Sequence, residues 1–375
     1  MAEKMKLFVD ENIAYAKFFF EDVLLNQFPN FFELTFYKDD EFDLEKISED
    51  AAVIIRSTYK THNLNVPESV KLLSSVSTGE DHVDKNHLEK KNIPYHFATG
   101  ANAKAVREYF YSCLSILLKE KKFDKSEDKI LVIGLGNIGH GIAKTLKNFN
   151  FSFETYDPFK ASTIESLSNL EEFKIITLHV PLTKNPPHET YNFVDKNFLN
   201  ELKNESIIIN TSRGGVLSES DFLKFDNLTV ISDVFLNEPS IDKNFHQKNF
   251  ISTPHIAGHT KSSRFDMTKM SLEKLINFFF NKKLNDSLVK KPYKKKSIHF
   301  SLSEVENDLN RYGFPVSLLL QIYDPRNDKF NLIDFSDVRN AYHHRLGYED
   351  ITSNNDLNVS EYLFCLLYTS PSPRD

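Results

Sequence analysis

The sequence predicts an α/β chain built on a doubly wound parallel sheet, and three observations carry that expectation. From Lys129 onward, short apolar runs alternate with helical stretches. One of those runs, Ile130-Leu131-Val132-Ile133, leads directly into Gly134-x-Gly136-x-x-Gly139 and then a helix. Three segments between Asn210 and Gly258 bring a cation, a carboxylate and an imidazole within a few residues of strand ends. In such a sheet the ligand crevice lies beyond the carboxyl ends of the strands.

Taken in order, Lys6 to Val9 and Ala52 to Ile55 read as strands, and the stretch from Leu72 to Thr78 repeats the pattern, giving a first small α/β unit over residues 1–100. From Asn102, which can cap a first turn, Val106, Phe110, Cys113, Leu114 and Leu117 recur at helical spacing. The second unit runs strand, glycine turn and helix to Asn148, then a strand from Phe151 to Tyr156 closing on Asp157. Further strands are expected at Lys174 to Leu178, Ser206 to Asn210, Leu228 to Ser232 and Phe250 to Ser252, and Ser218 to Asp221 fits a capping box. A helix from Lys261 to Asn281 follows. Lys290 to Ser297, with Pro292 and five lysines, reads as an exposed linker. A third unit over residues 298–365 carries helical stretches from Val316 to Tyr323 and from Phe335 to His344.

At 375 residues the chain is too long for one ordinary core and suggests two or three domains. With 46 basic against 53 acidic residues and a net charge of -7, it has no global attraction to nucleic acid or anionic lipid. Cys113 and Cys365 cannot build a disulfide framework, so a reduced cytoplasm is the simplest compartment, with Cys113 packed inertly on an apolar helical face. No apolar run is long enough for a signal peptide or a membrane span. Charges flank Phe18-Phe19-Phe20 and Phe278-Phe279-Phe280, which points both patches to core or interface packing. His343 and His344 are adjacent and face apart on a helix, so no metal site is read there.

The chemistry follows from residue types. The three glycines can make a tight turn, let backbone approach a pyrophosphate, and let helix and strand pack closely. Asp157 stands 18 residues past Gly139 at the next strand end. A carboxylate there accepts bonds from ribose hydroxyls and repels a 2'-phosphate, favouring NAD over NADP on a Rossmann-type sheet. An alcohol that loses a hydride and a proton together needs a holder for its negative substituent, a base, and a group that tunes the base. Arg213 offers a planar fork for a substrate carboxylate, His255 a base, and Glu238 the tuning charge. A carboxylate within about 4 to 6 Å favours an imidazolium.

The Gly134 fingerprint, His179-Val180-Pro181-Leu182, Asn210-Thr211-Ser212-Arg213-Gly214-Gly215, Glu238-Pro239 and Thr253-Pro254-His255-Ile256-Ala257-Gly258, in this order, resemble the NAD-dependent D-2-hydroxyacid dehydrogenase family. The resemblance spans nearly the whole chain up to about residue 285. It implies a flavodoxin-like substrate domain over residues 1–100, a Rossmann NAD-binding domain over 101–258 and a return helix over 259–288, with Arg213, Glu238 and His255 catalytic. Gly134, Gly136, Asn137, Ile138, Gly139, Asp157, Val180, Thr211, Ser212, Arg213, Asp233 and Gly258 are the implied NAD contacts, Val180 through its backbone.

Val9-Asp10-Glu11-Asn12, Arg56-Ser57-Thr58, the segment from Ser77 to Asp84, Asn102-Ala103 leading to Glu108-Tyr109, and Tyr323-Asp324 resemble one subgroup of that family, whose substrate is a phosphorylated 2-hydroxy acid. By that resemblance Ser57, Ser77 and His259 contact substrate, residues 289–365 form a small α+β dimerisation domain of a homodimer, and a 2-oxo acid serves as electron acceptor. His259 stands where the subgroup usually carries tyrosine, and Ser77 where threonine is common. The residues alone show no phosphate pocket. Hinges are expected near Gly100 to Asn102 and after Gly258. The last stretch, residues 366–375, has no core pattern and reads as a non-native tail. Two other readings stay open: the same chemistry on 3-phosphoglycerate or an unphosphorylated 2-hydroxy acid, and a non-catalytic scaffold that senses NAD.

Overall fold

Two sheets, every strand pair in them parallel, organise the computed structural model, which describes residues 4–332 and 335–353. Cys365 and the expected tail lie outside the described residues, as does the end of the expected third unit. Among the described residues no helix is long and apolar enough to cross a membrane.

The first sheet has five strands: β1 (Met5–Asp10), β2 (Phe32–Tyr37), β3 (Ala51–Ile55), β4 (Val70–Ser75) and β5 (Tyr95–Phe97), in the order β2-β1-β3-β4-β5. That order is the flavodoxin one. β3 sits at the centre and all five of its residues are buried, as a parallel strand covered on both faces requires. The sequence reading did not include β2 or β5. β2 is an edge strand in which only Phe32 and Tyr37 are buried, and β5 has only three residues, so neither shows a continuous apolar run. The helix Lys261–Phe280 belongs to this unit. Its Thr268 hydroxyl donates to the Ala14 carbonyl at 2.8 Å, and Phe265 lies 4.7 Å from the ring of Phe19. Phe19 and Phe20 are fully buried here, whereas Phe278 is one of the exposed large apolar side chains.

The second sheet has six strands: β6 (Lys129–Ile133), β7 (Phe153–Tyr156), β8 (Phe173–Leu178), β9 (Ile207–Asn210), β10 (Thr229–Ser232) and β11 (Ile251–Ser252), in the order β11-β10-β9-β8-β6-β7. The chain leaves β6 on one side for β7 and on the other for β8. β6 is therefore the switch strand, and Gly134 follows directly after it. The helix Ala103–Lys119 buries Tyr109, Phe110, Cys113, Leu114 and Leu117 in this unit's core. Burial raises the Cys113 thiol well above its usual range, which fits inert packing. The short helix Glu219–Phe222 does begin after Ser218, but no capping box forms: the Ser218 hydroxyl bonds the Asp221 carboxylate at 2.8 Å instead of a backbone N–H.

Compact units divide the chain at Asn102–Ala103, Thr260–Lys261 and Lys294–Lys295. Residues from Lys295 on cluster with residues 103–260. Phe300, Val305, Phe314, Val316 and Leu319 enter the same core as Val106, Tyr109 and Leu117. The expected linker thus ends in structure: β12 (Lys296–Ile298) pairs with β13 (Ile351–Ser353), and of its three residues only Ile298 is buried. The lysine run hid that strand.

Candidate active site

Each glycine of the fingerprint has a distinct task. Gly134 takes φ +92°, and a Cβ there would stand 2.5 Å from the His179 carbonyl oxygen. A Cβ on Gly139 would collide with the Gly134 carbonyl, so this glycine lets the helix Asn137–Asn148 pack against the strand. At Gly136, the N-cap of that helix, nothing lies within 4 Å of a Cβ position. Open backbone at a helix N-terminus suits a pyrophosphate, so the loop fits a dinucleotide on its own geometry. Asp157 follows β7. One of its carboxylate oxygens accepts the Leu135 N–H at 2.7 Å and the other the Phe159 N–H at 2.9 Å, which ties this carboxylate to the glycine turn.

His179 follows β8, its N–H bonded to the Ile133 carbonyl at 2.8 Å. Burial pushes its imidazole down to about 3, so the ring is neutral near pH 7. It stands 2.8 Å from the Thr177 hydroxyl and 3.5 Å from that of Thr211. Val180 comes next, partly buried at the crevice end of the strand.

Arg213 is carried on the turn after β9. Asn210 shapes that turn: its side-chain oxygen accepts the Ser212 N–H at 3.1 Å and the Ser212 hydroxyl at 2.7 Å, and its amide donates to the Arg213 carbonyl at 3.1 Å. Gly214 presses against the Phe235 carbonyl, where a Cβ could not fit. The Arg213 turn is therefore seated on the segment that bears Glu238.

Glu238 and His255 meet directly, with Oε2 and Nδ1 2.7 Å apart and both side chains partly exposed. The other carboxylate oxygen of Glu238 accepts the Phe235 N–H at 2.8 Å. Burial alone would raise this carboxyl, but the charge and hydrogen bond of His255, with the Phe235 N–H, hold it below its ordinary range. The Glu238–Pro239 bond is cis. His255 itself has φ 57°, a left-handed conformation that costs a residue with a side chain of order 1–3 kcal/mol and must be held by its surroundings.

Asp233 supplies much of that hold. One of its oxygens accepts the Thr253 hydroxyl at 2.7 Å and the Ile256 N–H at 2.8 Å, and the other accepts the Ala257 N–H at 3.0 Å. The Thr253 oxygen lies 2.8 Å from the Tyr109 hydroxyl. Burial lifts Asp233 to about 6, although the charge of His255 and these donors oppose it. Asp233 thus fixes the loop of Thr253 to Gly258 from below.

Motif reading did not single out Glu219. It accepts the Leu236 N–H at 2.6 Å, next to the residue that bonds Glu238, and burial pushes it up to about 7. Only its place at the start of a short helix could have drawn notice.

The candidate substrate contacts divide between the units. Ser57, exposed, and Ser77, largely buried, belong to the first. The Ser77 hydroxyl donates to the Gly79 carbonyl at 2.9 Å and lies 2.8 Å from the Ser75 oxygen, which is 2.8 Å from His82 Nε2. Arg56, beside Ser57, pairs with Asp10 and, at 3.3 Å, with Asp39, so its charge is already matched. His259 lies in the second unit, its ring 5.6 Å from that of His344 and edge-on to it. Among the described residues no cluster of His, Cys, Asp or Glu suits a metal ion.

Residues 116–257 match the family described as "D-isomer specific 2-hydroxyacid dehydrogenase, NAD binding domain". Solved structures share the fold. The NAD-dependent formate dehydrogenase of Staphylococcus aureus in complex with NAD aligns with a TM-score of 0.60 at 24% identity, covering 75% of this chain and 98% of that one. The NAD+-bound 3-phosphoglycerate dehydrogenase of Entamoeba histolytica aligns with 0.61 at 21%, covering 74% and 96%. Among sequence relatives, the erythronate-4-phosphate dehydrogenase of Bacteroides thetaiotaomicron is 33% identical over 288 residues, 73% of this chain and 80% of the relative. That of Wigglesworthia glossinidia brevipalpis is 30% identical over 371 residues, 94% of this chain and 95% of the relative. The site and fold thus define a D-2-hydroxyacid dehydrogenase architecture. Within it, the chain belongs to the erythronate-4-phosphate dehydrogenase family.

Proposed function

We propose that this chain oxidises 4-phospho-D-erythronate to (R)-3-hydroxy-2-oxo-4-phosphooxybutanoate with NAD, as a step in pyridoxal 5'-phosphate biosynthesis. The observation that carries the chemistry is the 2.7 Å contact between Glu238 and His255, seated beside the turn of Arg213. NAD, when bound, supplies the hydride acceptor. His255 takes the proton of the 2-hydroxyl through Nε2, because Nδ1 faces Glu238, and Glu238 steadies the imidazolium that results. Arg213 holds the substrate carboxylate and polarises the developing carbonyl.

For the cofactor we assign Gly134, Gly136, Asn137, Ile138 and Gly139 to the pyrophosphate, Asp157 to the ribose, and Val180, Thr211, Ser212, Arg213, Asp233 and Gly258 to the nicotinamide half. Ser57, Ser77 and His259 are assigned to the substrate. The substrate itself rests on the relatives, whose names specify erythronate 4-phosphate. We further propose a cytoplasmic homodimer that discharges reduced cofactor to a 2-oxo acid.

The test is turnover of the full chain on 4-phospho-D-erythronate, 3-phosphoglycerate and unphosphorylated D-2-hydroxy acids, read as NADH formed without an acceptor and as 2-hydroxyglutarate formed when 2-oxoglutarate is supplied. Turnover confined to, or strongest with, 4-phospho-D-erythronate is expected. Preference for 3-phosphoglycerate, or NAD binding without turnover on any member, would contradict the reading.

A further inference from the structure

Arg345 joins three parts of the second unit that are far apart in sequence. Its guanidinium donates to Glu108 Oε2 at 2.9 Å and to the Ala105 carbonyl at 2.6 Å, both on the helix Ala103–Lys119. It also donates to the Ala257 carbonyl at 3.1 Å, two residues beyond His255. The ring of Tyr323 covers the guanidinium at 4.3 Å, and the backbone of Arg345 bridges to Thr260. Only 7% of the Arg345 side chain and 4% of that of Glu108 is exposed. The other oxygen of Glu108 accepts the Tyr348 N–H at 3.0 Å.

The Ala257 peptide groups are therefore held from two directions. Asp233 takes the N–H and Arg345 takes the carbonyl. His255 sits just ahead of them in a left-handed conformation, which persists only where the surroundings over-determine it. Removing one of the two anchors should let the segment relax and carry the imidazole away from its place beside Glu238. Side-chain partners of His259 lie in the same stretch: His344, the neighbour of Arg345, packs edge-on against it.

We infer that Arg345, braced by Glu108, is a positioning residue for His255, so that the segment after residue 295 helps to build the proton-transfer site. The inference rests on the dehydrogenase reading above for its kinetic consequence, and on geometry alone for its structural one. A buried, hydrogen-bonded guanidinium is suited to the task because its fork is planar and permanently charged.

The experiment compares full-length wild type with Arg345→Met, Arg345→Lys and Glu108→Gln. Circular dichroism and solution mass establish that each variant is folded, and two readouts follow: kcat and KM for NAD, and amide hydrogen exchange of the peptide spanning residues 253–260. In Arg345→Met, kcat should fall about a hundredfold, the scale of a displaced catalytic group, with KM for NAD little changed. Exchange should quicken in residues 255–258 while the Gly134 loop keeps its wild-type rate. Arg345→Lys, which keeps a cation and donors, should recover part of both effects. Wild-type kcat and wild-type exchange in a folded Arg345→Met variant would overturn the inference. So would a rise in exchange spread evenly over the chain with no rescue by lysine. If Arg345→Met does not fold, Arg345→Lys decides: slower turnover with local exchange supports the assignment, and no change in either refutes it. Absence of turnover in wild type would count against the dehydrogenase reading, and the exchange comparison would still decide the role of Arg345.

Discussion

Glu238–His255 and Glu108–Arg345 are both carboxylates paired with nitrogen bases at 2.7 and 2.9 Å, yet they are built for opposite ends. The first pair keeps 19% and 28% of its side chains exposed, the second only 4% and 7%. Imidazole gains and loses a proton near neutrality, whereas guanidinium does not. Glu238 is held below the usual carboxylate range by its partner, as the carboxylate that tunes the proposed base must be. Glu108 is pushed up by burial, against the pull of Arg345 and the Tyr348 N–H, and its pair stays closed as a brace. Access to water and choice of base, rather than the contact itself, thus distinguish the pair proposed to move a proton from the pair proposed to fix a backbone.

The largest expected effect falls on the open pair. His255→Asn should lower kcat by about 10² to 10⁴, the usual contribution of general acid–base catalysis, while NAD titration stays as in wild type. A variant with full turnover would erase the distinction drawn here. Next comes Glu108→Ala, which strands a buried guanidinium and should cost about 3–5 kcal/mol in urea unfolding. Glu238→Ala, at the more exposed pair, should cost no more than about 1 kcal/mol while removing most activity. Equal losses of stability at the two positions would refute the contrast.

Smaller effects concern pH. Glu219 and Asp233 are raised by burial to about 7 and about 6, above their unfolded values. Their contribution to stability is full below the unfolded carboxylate range and is lost as pH rises through the folded values. Thermal midpoints should therefore decline between about pH 4 and pH 7 on their account, and Glu219→Gln should flatten the decline. Glu238 has the opposite sign: its lowered value adds stability at neutral pH that is lost on acidification through that value. The smallest signal is expected from His179, partly buried with its imidazole pushed down to about 3. Its ring resonances should not titrate between pH 5 and pH 8 in an NMR series, and movement there would show that water reaches the crevice floor.

How much of this was legible before any coordinates depends on how local each feature is. The Gly134 turn, Asp157 and the three catalytic candidates all sit in short segments at strand ends, where residue type and spacing carry the signal. β2 escaped because an edge strand buries only its two end residues, and β5 because three residues set no period. The capping box at Ser218 failed because a nearby carboxylate competed for the hydroxyl. β12 was hidden in a lysine run whose one buried residue is Ile298. Arg345 was invisible for a different reason. Its partners Glu108 and Ala257 lie 237 and 88 residues away, and no local pattern records a contact of that span.

The proposed role of the imidazole held by Glu238 is to remove a proton from a 2-hydroxy acid as its hydride goes to NAD. The most direct measurement mixes the protein with NAD and 4-phospho-D-erythronate carrying deuterium at C2, and weighs the reduced nucleotide by mass spectrometry. The account predicts singly deuterated NADH from wild type and almost none from His255→Asn. Unlabelled NADH from wild type, or an equal yield and rate from the variant, would contradict it.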